Sequence, residues 1–376
     1  MKKNLVIFGT RPEAIKMAPL VKAFFNSKEV FETKVCITAQ HREMLDQVLS
    51  FFEIEPDYDL NLMKPDQNLY TLTADIITSL KPVLEDFKPD YVYVHGDTTT
   101  TMAASIASFY SGAKVCHIEA GLRTFNKWSP FPEEVNRSVT GRIADLHFSP
   151  TTTSKQNLLN ENIDENQVFV TGNTVIDALN FSTEKVNSEN YSDSEIENLK
   201  MLVQSGKKLI LVTGHRRENH GQGFINMCEA LKNIAESNPE TQIIYPVHLN
   251  PNVQKPVYKL LNEIKNIHLI APLSYPAFVW LMDKSYLIIT DSGGVQEEAP
   301  SLGKPVLVMR DTTERPEAVE AGTVLLVGTN KEKIISETDK LLNNRELYNK
   351  MSLLHNPYGD GNACSKIVKT IANIKQ

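Results

Sequence analysis

Two acidic residues follow apolar, strand-like runs in the N-terminal half of the sequence. Asp97 comes two residues after the run YVYVH, and Glu119 lies at the end of the run KVCHIEA. A carboxylate at the end of a buried strand is costly unless it is paired or used in chemistry. Positioned carboxylates with tuned pKa values are suitable general acids and bases. We therefore interpret Asp97 and Glu119 as candidate catalytic residues.

A third acidic position opens a helix. Glu133 and Glu134 follow Pro132 in the stretch WSPFPEEVNR. These carboxylates also have a structural explanation, because acids stabilise the positive end of the helix dipole and Glu133 could pair with Arg137 at i+4. From the residues alone, both interpretations of Glu133 stay open.

The C-terminal half carries residues suited to phosphate. The stretch TDSGGVQEEA places Ser292, Gly293 and Gly294 where a strand turns into a helix. Glycines let backbone N–H groups approach a ligand and adopt positive φ, and the start of a helix attracts anions. The alternative is a plain strand-to-helix turn in which Glu297 caps the helix. We favour the phosphate interpretation.

Basic residues follow other predicted strands. Arg11 and Lys16 lie in FGTRPEAIKMAPL, after the first strand, and are surface charges unless the topology places them against a phosphate. His215 and Arg216 follow a buried strand in LVTGHRREN, and His248 is placed similarly in YPVHLNP. A histidine beside arginines at the end of a strand is a candidate for ligand contact.

Several common site motifs are absent from the sequence. There is no G-x-x-x-x-G-K-[ST] and no G-x-G-x-x-G after a strand, so neither an ATPase P-loop nor an NAD site of the usual kind is expected. The His and Cys spacings match no metal pattern, and the four cysteines are far apart in sequence. We expect no metal and no cofactor, and we expect the cysteines to be small buried hydrophobes.

Short apolar runs alternate with helical patterns along the whole chain. This alternation predicts an α/β fold, because continuous apolar strands between helices form parallel sheets that are covered on both faces. Strands are predicted at 5–9, 33–39, 91–95, 114–120, 145–149, 167–172, 208–214, 242–248, 266–271, 286–290, 304–309 and 323–328. Helices are predicted at 12–25, 42–53, 69–87, 133–143 and 361–376.

The chain of 376 residues is long enough for two domains. The polar segment 181–207 interrupts the pattern, so we predict a hinge near 172–180 and two doubly wound Rossmann-like domains, 1–172 and 173–360. Ligands bind beyond the carboxyl ends of parallel strands, and two such domains facing each other would form a cleft.

Charge and hydropathy exclude several classes of protein. The formal net charge of -7 argues against binding nucleic acid by bulk charge. The N-terminal apolar run is too short for a signal peptide, and no stretch reaches the roughly 20 apolar residues of a membrane span. We expect a cytoplasmic protein without a nucleic-acid or membrane partner.

Eight stretches make the sequence similar to a known family. FGTRPEAIKMAPL, TAQHREMLDQVL, HGDTTT, HIEAGLRT, PEEVNR, TGHRREN, PVHLNP and TDSGGVQEEAPSLGKPVLVMRDTTERPE resemble, in order, the bacterial non-hydrolysing UDP-N-acetylglucosamine 2-epimerases. The resemblance implies a two-domain GT-B glycosyltransferase-like fold, a homodimer, and a C-terminal helix that packs back on the first domain. It also implies interconversion of UDP-GlcNAc and UDP-ManNAc for cell-envelope polysaccharides.

The chemistry of that reaction fits the motifs. The proton at C2 of the sugar is not next to a carbonyl, so an enzyme must oxidise a neighbouring carbon or expel the leaving group at C1. Because a phosphate turn is present and a dinucleotide motif is missing, we expect anti elimination of UDP to 2-acetamidoglucal and re-addition. Protonation on two faces of C2 needs at least two acid/base positions.

The resemblance also implies roles for individual residues. Asp97, Glu119 and Glu133 would be the essential acids, with His215 near the diphosphate. The remaining substrate contacts would be Arg11, Lys16, Leu273 (through its backbone), Phe278, Ser292, Gly293, Gly294, Glu298 (on the ribose) and Arg315.

A second UDP-GlcNAc activates many members of this family. The corresponding positions are Gln40, His41, Gln67, Glu133, Arg216 and His248. Activator-dependent members typically have Arg-Gln where this chain has Asp66 and Gln67, so an acid replaces the arginine.

Three other functions share parts of this pattern. A GT-B glycosyltransferase would use the same fold and turn but would need an acceptor groove instead of acids on both faces of C2. A hydrolysing epimerase would release UDP and free ManNAc. A non-catalytic sensor of UDP-sugars would tolerate the loss of Asp97, Glu119 and Glu133.

Overall fold

The computed structural model describes residues 1–39, 42–63 and 67–374. It divides into two compact units. The first unit is Met1–Asn180 with Tyr358–Gln376, and the second is Phe181–Pro357. The boundary at 172 and 173 that the sequence suggests therefore lies inside the first unit.

Each unit contains one parallel β-sheet. The first sheet has the order β3-β2-β1-β4-β5-β6-β7, and the second has the order β10-β9-β8-β11-β12-β13. The strands are β1 Lys2–Phe8, β2 Phe31–Ile37, β3 Tyr58–Asp59, β4 Tyr91–His95, β5 Lys114–Ile118, β6 Leu146–Ser149, β7 Val168–Val170, β8 Lys208–Thr213, β9 Thr241–Pro246, β10 Ile267–Ile270, β11 Leu287–Thr290, β12 Val306–Val308 and β13 Val324–Leu326.

Helices connect most of the strands. They are α1 Arg11–Phe25, α2 Arg42–Phe52, α3 Leu69–Phe87, α4 Thr99–Ser111, α5 Glu133–Ile143, α6 Thr152–Asn160, α7 Thr174–Val186, α8 Ser194–Leu202, α9 Gln222–Ser237, α10 Pro251–Leu261, α11 Tyr275–Lys284, α12 Gly293–Glu298, α13 Pro316–Glu320, α14 Lys331–Asn343, α15 Arg345–Ser352 and α16 Ala363–Asn373. Short 3-10 helices lie at Glu165–Gln167, Arg217–Asn219 and Ala299–Leu302.

The predicted α/β fold class is confirmed. All five residues of β4 and all four of β11 are buried, as expected for strands covered by helices on both faces. The strand order reverses between β1 and β4 in the first sheet and between β8 and β11 in the second. Ligands bind at such switch points, beyond the carboxyl ends of the strands. The turns that follow these four strands are therefore the expected ligand-binding positions.

The polar segment 181–207 contains more helix than its composition indicates. The end of α7 and all of α8 lie within it. The side chain of Asp193 caps α8 by accepting from the backbone N–H groups of Glu195 and Ile196, and Ile196 and Leu199 are the buried residues of this helix. Two apolar anchors in nine residues are too weak a periodic signal to predict a helix.

The C-terminal helix α16 packs on α1 within the first unit. The ammonium group of Lys2 donates to the carbonyl oxygens of Ala372 at 3.0 Å and Ile374 at 2.6 Å, at the negative end of the helix dipole. The four cysteines are buried and unbridged, as predicted. Among the described residues, no helix is long and apolar enough to cross a membrane.

Candidate active site

Asp97 lies in the turn between β4 and α4. Gly96 has a φ of +66°, which favours glycine, and its N–H donates to the carbonyl of Ile118 at 2.9 Å. The ring Nε2 of the buried His117 lies 2.7 Å from the carbonyl oxygen of Gly96. The backbone before Asp97 is therefore held by β5 and by a buried imidazole.

Arg137 on α5 holds the side chain of Asp97. One guanidinium nitrogen forms an ion pair with the Asp97 carboxylate, and another donates to Glu134 at 2.9 Å. Asn136 adds a hydrogen bond from its side-chain amide to the carbonyl of Asp97, at 2.9 Å. The guanidinium of Arg137 therefore faces Glu134 and Asp97, and the alternative of a pair with Glu133 is wrong.

Glu119 follows β5 in a left-handed conformation, with a φ of +62°. Such a conformation costs a non-glycine residue about 1 kcal/mol or more and is often found at functional sites. Its carboxylate forms an ion pair with Lys16, and its Oε2 accepts from the Asn173 amide at 2.7 Å. A Cβ built on Gly96 would lie 3.6 Å from Glu119 Oε1. The Glu119 carboxylate thus packs beside the residue that precedes Asp97.

His95 lies close to the same carboxylate. Its Nε2 is 3.8 Å from Glu119 Oε2 and has no hydrogen-bond partner among the described residues. Burial lowers the pKa of His95 to about 4, with a further lowering from Lys16 and an opposing effect of Glu119. The imidazole is therefore neutral near pH 7, and Lys16 is the cation at this carboxylate.

Glu133 and Glu134 open α5 but differ in their contacts. Glu134 accepts from the backbone N–H groups of Thr124 and Phe125, at 3.1 and 2.8 Å, and so anchors the preceding loop. The Oε2 atom of Glu133 is buried and has no hydrogen-bond partner among the described residues. A buried carboxylate oxygen without a partner is costly and is consistent with a ligand-facing role.

The turn after β1 is organised by Glu13. Its carboxylate accepts from the backbone N–H groups of Gly9 and Thr10, at 3.1 and 2.8 Å, and from the hydroxyl of Thr98 at 2.6 Å. Burial raises its pKa, although these hydrogen bonds oppose the shift. Glu13 thereby ties the start of α1, where Arg11 is the first residue, to the turn that carries Asp97.

In the second unit, Asp291 joins the turns after β8 and β11. The carboxylate is fully buried, and its Oδ2 accepts from the backbone N–H groups of His215 and Arg216, both at 2.8 Å. The Nδ1 of His215 lies 3.2 Å from Asp291 Oδ1. These interactions hold the pKa of Asp291 below its usual value, although burial opposes them. The His215 ring is stacked on His248, with the ring centroids 5.6 Å apart.

The glycines of the SGG turn create space. Gly293 and Gly294 are the first residues of α12 and have no positive φ, so the expectation of left-handed backbone was wrong. A Cβ on Gly293 would lie 3.2 Å from the guanidinium of Arg315. The missing side chain lets this cation approach the N-terminus of α12.

Glu297 is a buried partner of Arg315. Its side chain is 2 % exposed, and its Oε1 accepts from Arg315 Nε at 2.9 Å. The interpretation of Glu297 as a helix cap is therefore wrong. Glu298 is also buried, and its Oε1 accepts from the hydroxyl of Tyr275 at 3.3 Å.

The other predicted contact residues are scattered over several elements. Leu273 lies in the loop before α11, and Phe278 lies on α11. Arg216 lies 3.4 Å from Glu314, and the side-chain amide of Gln67 donates to the carbonyl of Leu62 at 2.8 Å. Gln40, His41 and Asp66 lie outside the described residues.

Four residues at these turns were missed by the sequence analysis. Glu13 follows Thr10 at the spacing of a capping box, and Asp291 directly precedes Ser292, so both carried a local signal. His95 begins the HGDTTT motif. Asn173 carried no signal, because its partner Glu119 is 54 positions away. Across the described ranges, no group of three or more His, Cys, Asp or Glu could hold a metal ion.

Comparisons with known proteins agree with this architecture. Residues 24–372 match the family model described as UDP-N-acetylglucosamine 2-epimerase. The chain is 59% identical to the UDP-N-acetylglucosamine 2-epimerase of Escherichia coli (strain K12), over 99% of this chain and 98% of the relative.

Two solved structures extend the comparison. The UDP-GlcNAc 2-epimerase from Neisseria meningitidis, bound to UDP-GlcNAc, matches with a TM-score of 0.90 and 56% identity, over 99% of this chain and 100% of that chain. The Methanocaldococcus jannaschii UDP-GlcNAc 2-epimerase, in complex with UDP-GlcNAc and UDP, matches with a TM-score of 0.79 and 34% identity, over 99% of each chain.

Proposed function

The chain belongs to the UDP-N-acetylglucosamine 2-epimerase family, and from this membership we propose that the protein interconverts UDP-GlcNAc and UDP-ManNAc by inverting C2 of the sugar. One observation carries the proposal at the level of residues. Asp97 and Glu119 follow the neighbouring strands β4 and β5 of the first sheet, of which β4 borders the switch point, and each carboxylate forms an ion pair with its own cation. Two separately held carboxylates are what proton transfer on two faces of one carbon requires.

The proposed reaction is an anti elimination followed by re-addition. A base removes the proton from C2 while the bond between C1 and the diphosphate oxygen breaks, which yields UDP and 2-acetamidoglucal. The phosphate oxygen then returns to C1, and a proton is delivered to the opposite face of C2. No oxidant is needed, because the electron pair of the C2–H bond forms the double bond and is returned in the second step.

Asp97, Glu119 and Glu133 are the proposed acid/base residues. Lys16 and Arg137 form ion pairs with Glu119 and Asp97, so each of these two carboxylates is held by its own cation. The buried, unpartnered oxygen of Glu133 supports a role in contacting the substrate.

The second unit supplies most of the proposed groups for the nucleotide. Ser292, Gly293 and Gly294 at the start of α12 would bind the diphosphate, together with His215 and Arg11, and Arg315 would contact the nucleotide nearby. The approach of Arg315 to Gly293 supports this assignment, since it adds a cation to a helix N-terminus. The remaining proposed contacts are Lys16, Leu273, Phe278 and Glu298.

The ion pair between Lys16 and Glu119 changes the role that we propose for Lys16. Lys16 was expected to contact the nucleotide, but its ammonium group forms an ion pair with a proposed catalytic acid. We propose that Lys16 serves Glu119 first and that any contact with phosphate is additional.

A second UDP-GlcNAc is proposed as an activator at Gln40, His41, Gln67, Glu133, Arg216 and His248. The stacking of His248 on His215 supports a link between this set and the diphosphate site. Asp66, which replaces the arginine usual in activator-dependent members, is expected to weaken the binding of the activator. The family resemblance further supports a cytoplasmic homodimer that supplies precursors of cell-envelope polysaccharides.

The deciding experiment is incubation of the purified protein with UDP-GlcNAc in D2O without added cofactor. The proposal predicts UDP-ManNAc with deuterium at C2 and little net UDP. Bulk release of UDP with free ManNAc would identify a hydrolysing epimerase. Binding without exchange would fit a sensor, and turnover only with an added acceptor would fit a glycosyltransferase.

A further inference from the structure

Asn173 connects Glu119 to the junction through which the chain leaves and re-enters the first unit. Its side-chain Nδ2 donates to Glu119 Oε2 at 2.7 Å, and its backbone N–H donates to the carbonyl of Tyr358, also at 2.7 Å. The residue is 2 % exposed. It directly precedes α7, which continues into the second unit, and Tyr358 is the first residue after the chain returns.

The backbone at this junction is tightly packed. Gly172 and Gly359 have φ values of +90° and +122°. A Cβ on Gly172 would lie 3.2 Å from the carbonyl oxygen of Tyr358 and 3.3 Å from the Cα of Gly359. Asp177 on α7 accepts from the backbone N–H groups at the start of α16, at 2.9 and 3.2 Å. The position of Asn173 is therefore set by two chain segments.

The hydrogen bonds also fix the orientation of the Asn173 amide. Its Oδ1 accepts from the backbone N–H of Val175 at 3.1 Å, so the Nδ2 faces Glu119. An amide can accept on one side and donate on the other without carrying charge. An aspartate could still accept from Val175 but would place a second carboxylate against Glu119.

Lys16 and Asn173 make different contributions to this carboxylate. Lys16 brings a positive charge at the end of a flexible side chain, whereas Asn173 is short and held at both ends. A directional donor on a rigid segment limits the rotation of the carboxylate more than a flexible cation does. Asn173 therefore adds a directional constraint on the Glu119 carboxylate to the charge that Lys16 supplies.

We infer that Asn173 is a positioning residue for Glu119, which holds the carboxylate in the geometry needed for proton transfer at C2. The inference rests on the proposed function, because it assumes that Glu119 transfers a proton. It adds a residue outside the groups proposed to touch the substrate.

The test uses the full chain with the variants Asn173→Ala and Asn173→Asp. Asn4→Asp is the matched control. Asn4 is also buried in the first unit, but its side-chain oxygen accepts from the hydroxyl of Tyr93. For each protein we would measure thermal stability, UDP affinity, kcat and KM between pH 5.5 and 9.5, and deuterium exchange at C2. The titration of Glu119 would be followed by ¹³C NMR of its carboxyl carbon.

Asn173→Ala is expected to lower kcat and C2 exchange on the order of 10²-fold, since misplacing a catalytic group by about 1 Å has that effect. UDP affinity should stay within about threefold, because most of the proposed nucleotide groups lie in the second unit and Asn173 is not among them. In Asn173→Asp, the acid limb of the pH profile and the NMR midpoint of Glu119 should both rise by about one unit or more, as expected for two adjacent carboxylates. Asn4→Asp should move neither.

Two outcomes would overturn the inference. One is wild-type kcat and pH dependence in both Asn173 variants, and the other is losses that match those of Asn4→Asp at equal stability. If Asn173→Asp does not fold, Asn173→Ala still decides through kcat and the Glu119 titration. Absence of C2 exchange in the wild type would refute the proposed function instead. The positioning role would then be refuted separately if the NMR titration of Glu119 in the Asn173 variants equals that in the wild type.

Discussion

Acid should destabilise the first unit through three histidines on adjacent strands. His95 ends β4, and His117 on β5 lies in register with His147 on β6. Burial lowers the pKa of His95 and His147 to about 4 and that of His117 to about 3, from 6.5. Lys16 lowers the pKa of His95 further, and Arg123 lowers the pKa values of His117 and His147 further. Glu119 opposes the lowering at His95, and Glu161 opposes it at His147.

The direction of the effect follows from the number of protons bound. Between pH 6.5 and 4, the unfolded chain binds protons at these histidines, whereas the folded chain does not. The free energy of unfolding therefore falls as the pH falls through this window. At pH 5 each histidine should cost about 2 kcal/mol relative to pH 8, and the three together about 6 kcal/mol. A loss of this size is comparable to the whole stability of many domains, which is roughly 5–15 kcal/mol.

Urea unfolding at pH 7.5, 6.0 and 5.0 measures this loss. His147→Gln keeps a polar side chain of similar length but does not titrate. It should reduce the pH dependence by up to one proton, or about 1.4 kcal/mol per pH unit. His355→Gln, at an exposed position of the second unit, is the control. Stability that is constant between pH 7.5 and 5.0, or equal slopes for His147→Gln and wild type, would refute the reasoning.

Three further substitutions test the site. Glu119→Gln should retain UDP binding in calorimetry but lower C2 deuterium exchange by about 10²- to 10⁴-fold, and unchanged exchange would remove Glu119 from the mechanism. Arg315→Met removes the guanidinium that donates to the buried Glu297 carboxylate, so the second unit should lose about 3–5 kcal/mol in chemical denaturation. Adding Glu297→Gln should restore part of that loss, and no recovery would contradict the pairing. Asp291→Asn keeps an acceptor for two backbone N–H groups but removes the charge beside His215. The affinity for UDP should therefore fall roughly tenfold. An unchanged Kd for UDP would argue against a role of this charge.

The fold and the positions of the main acids follow from the sequence. Strands covered on both faces are continuous apolar runs, and this is a local property of the chain, so β4 was predicted to the residue. The acids at 97 and 119 stand out because a carboxylate is unusual next to such runs. The two-residue strand β3 and the helix α8 were missed because few apolar residues mark them.

The partners of the functional groups were decided by the tertiary structure. Glu119 is held by Lys16 and Asn173, which are 103 and 54 positions away. Gly293 leaves space for Arg315, and the Arg315 side chain donates to Glu297, which the sequence suggested as a helix cap. Apolar periodicity and the residues that form turns are local features of the chain, so they can be recognised in a single sequence. Which carboxylate meets which cation depends on the order of strands in a sheet and on the return of the chain at Tyr358, and only the folded chain establishes both.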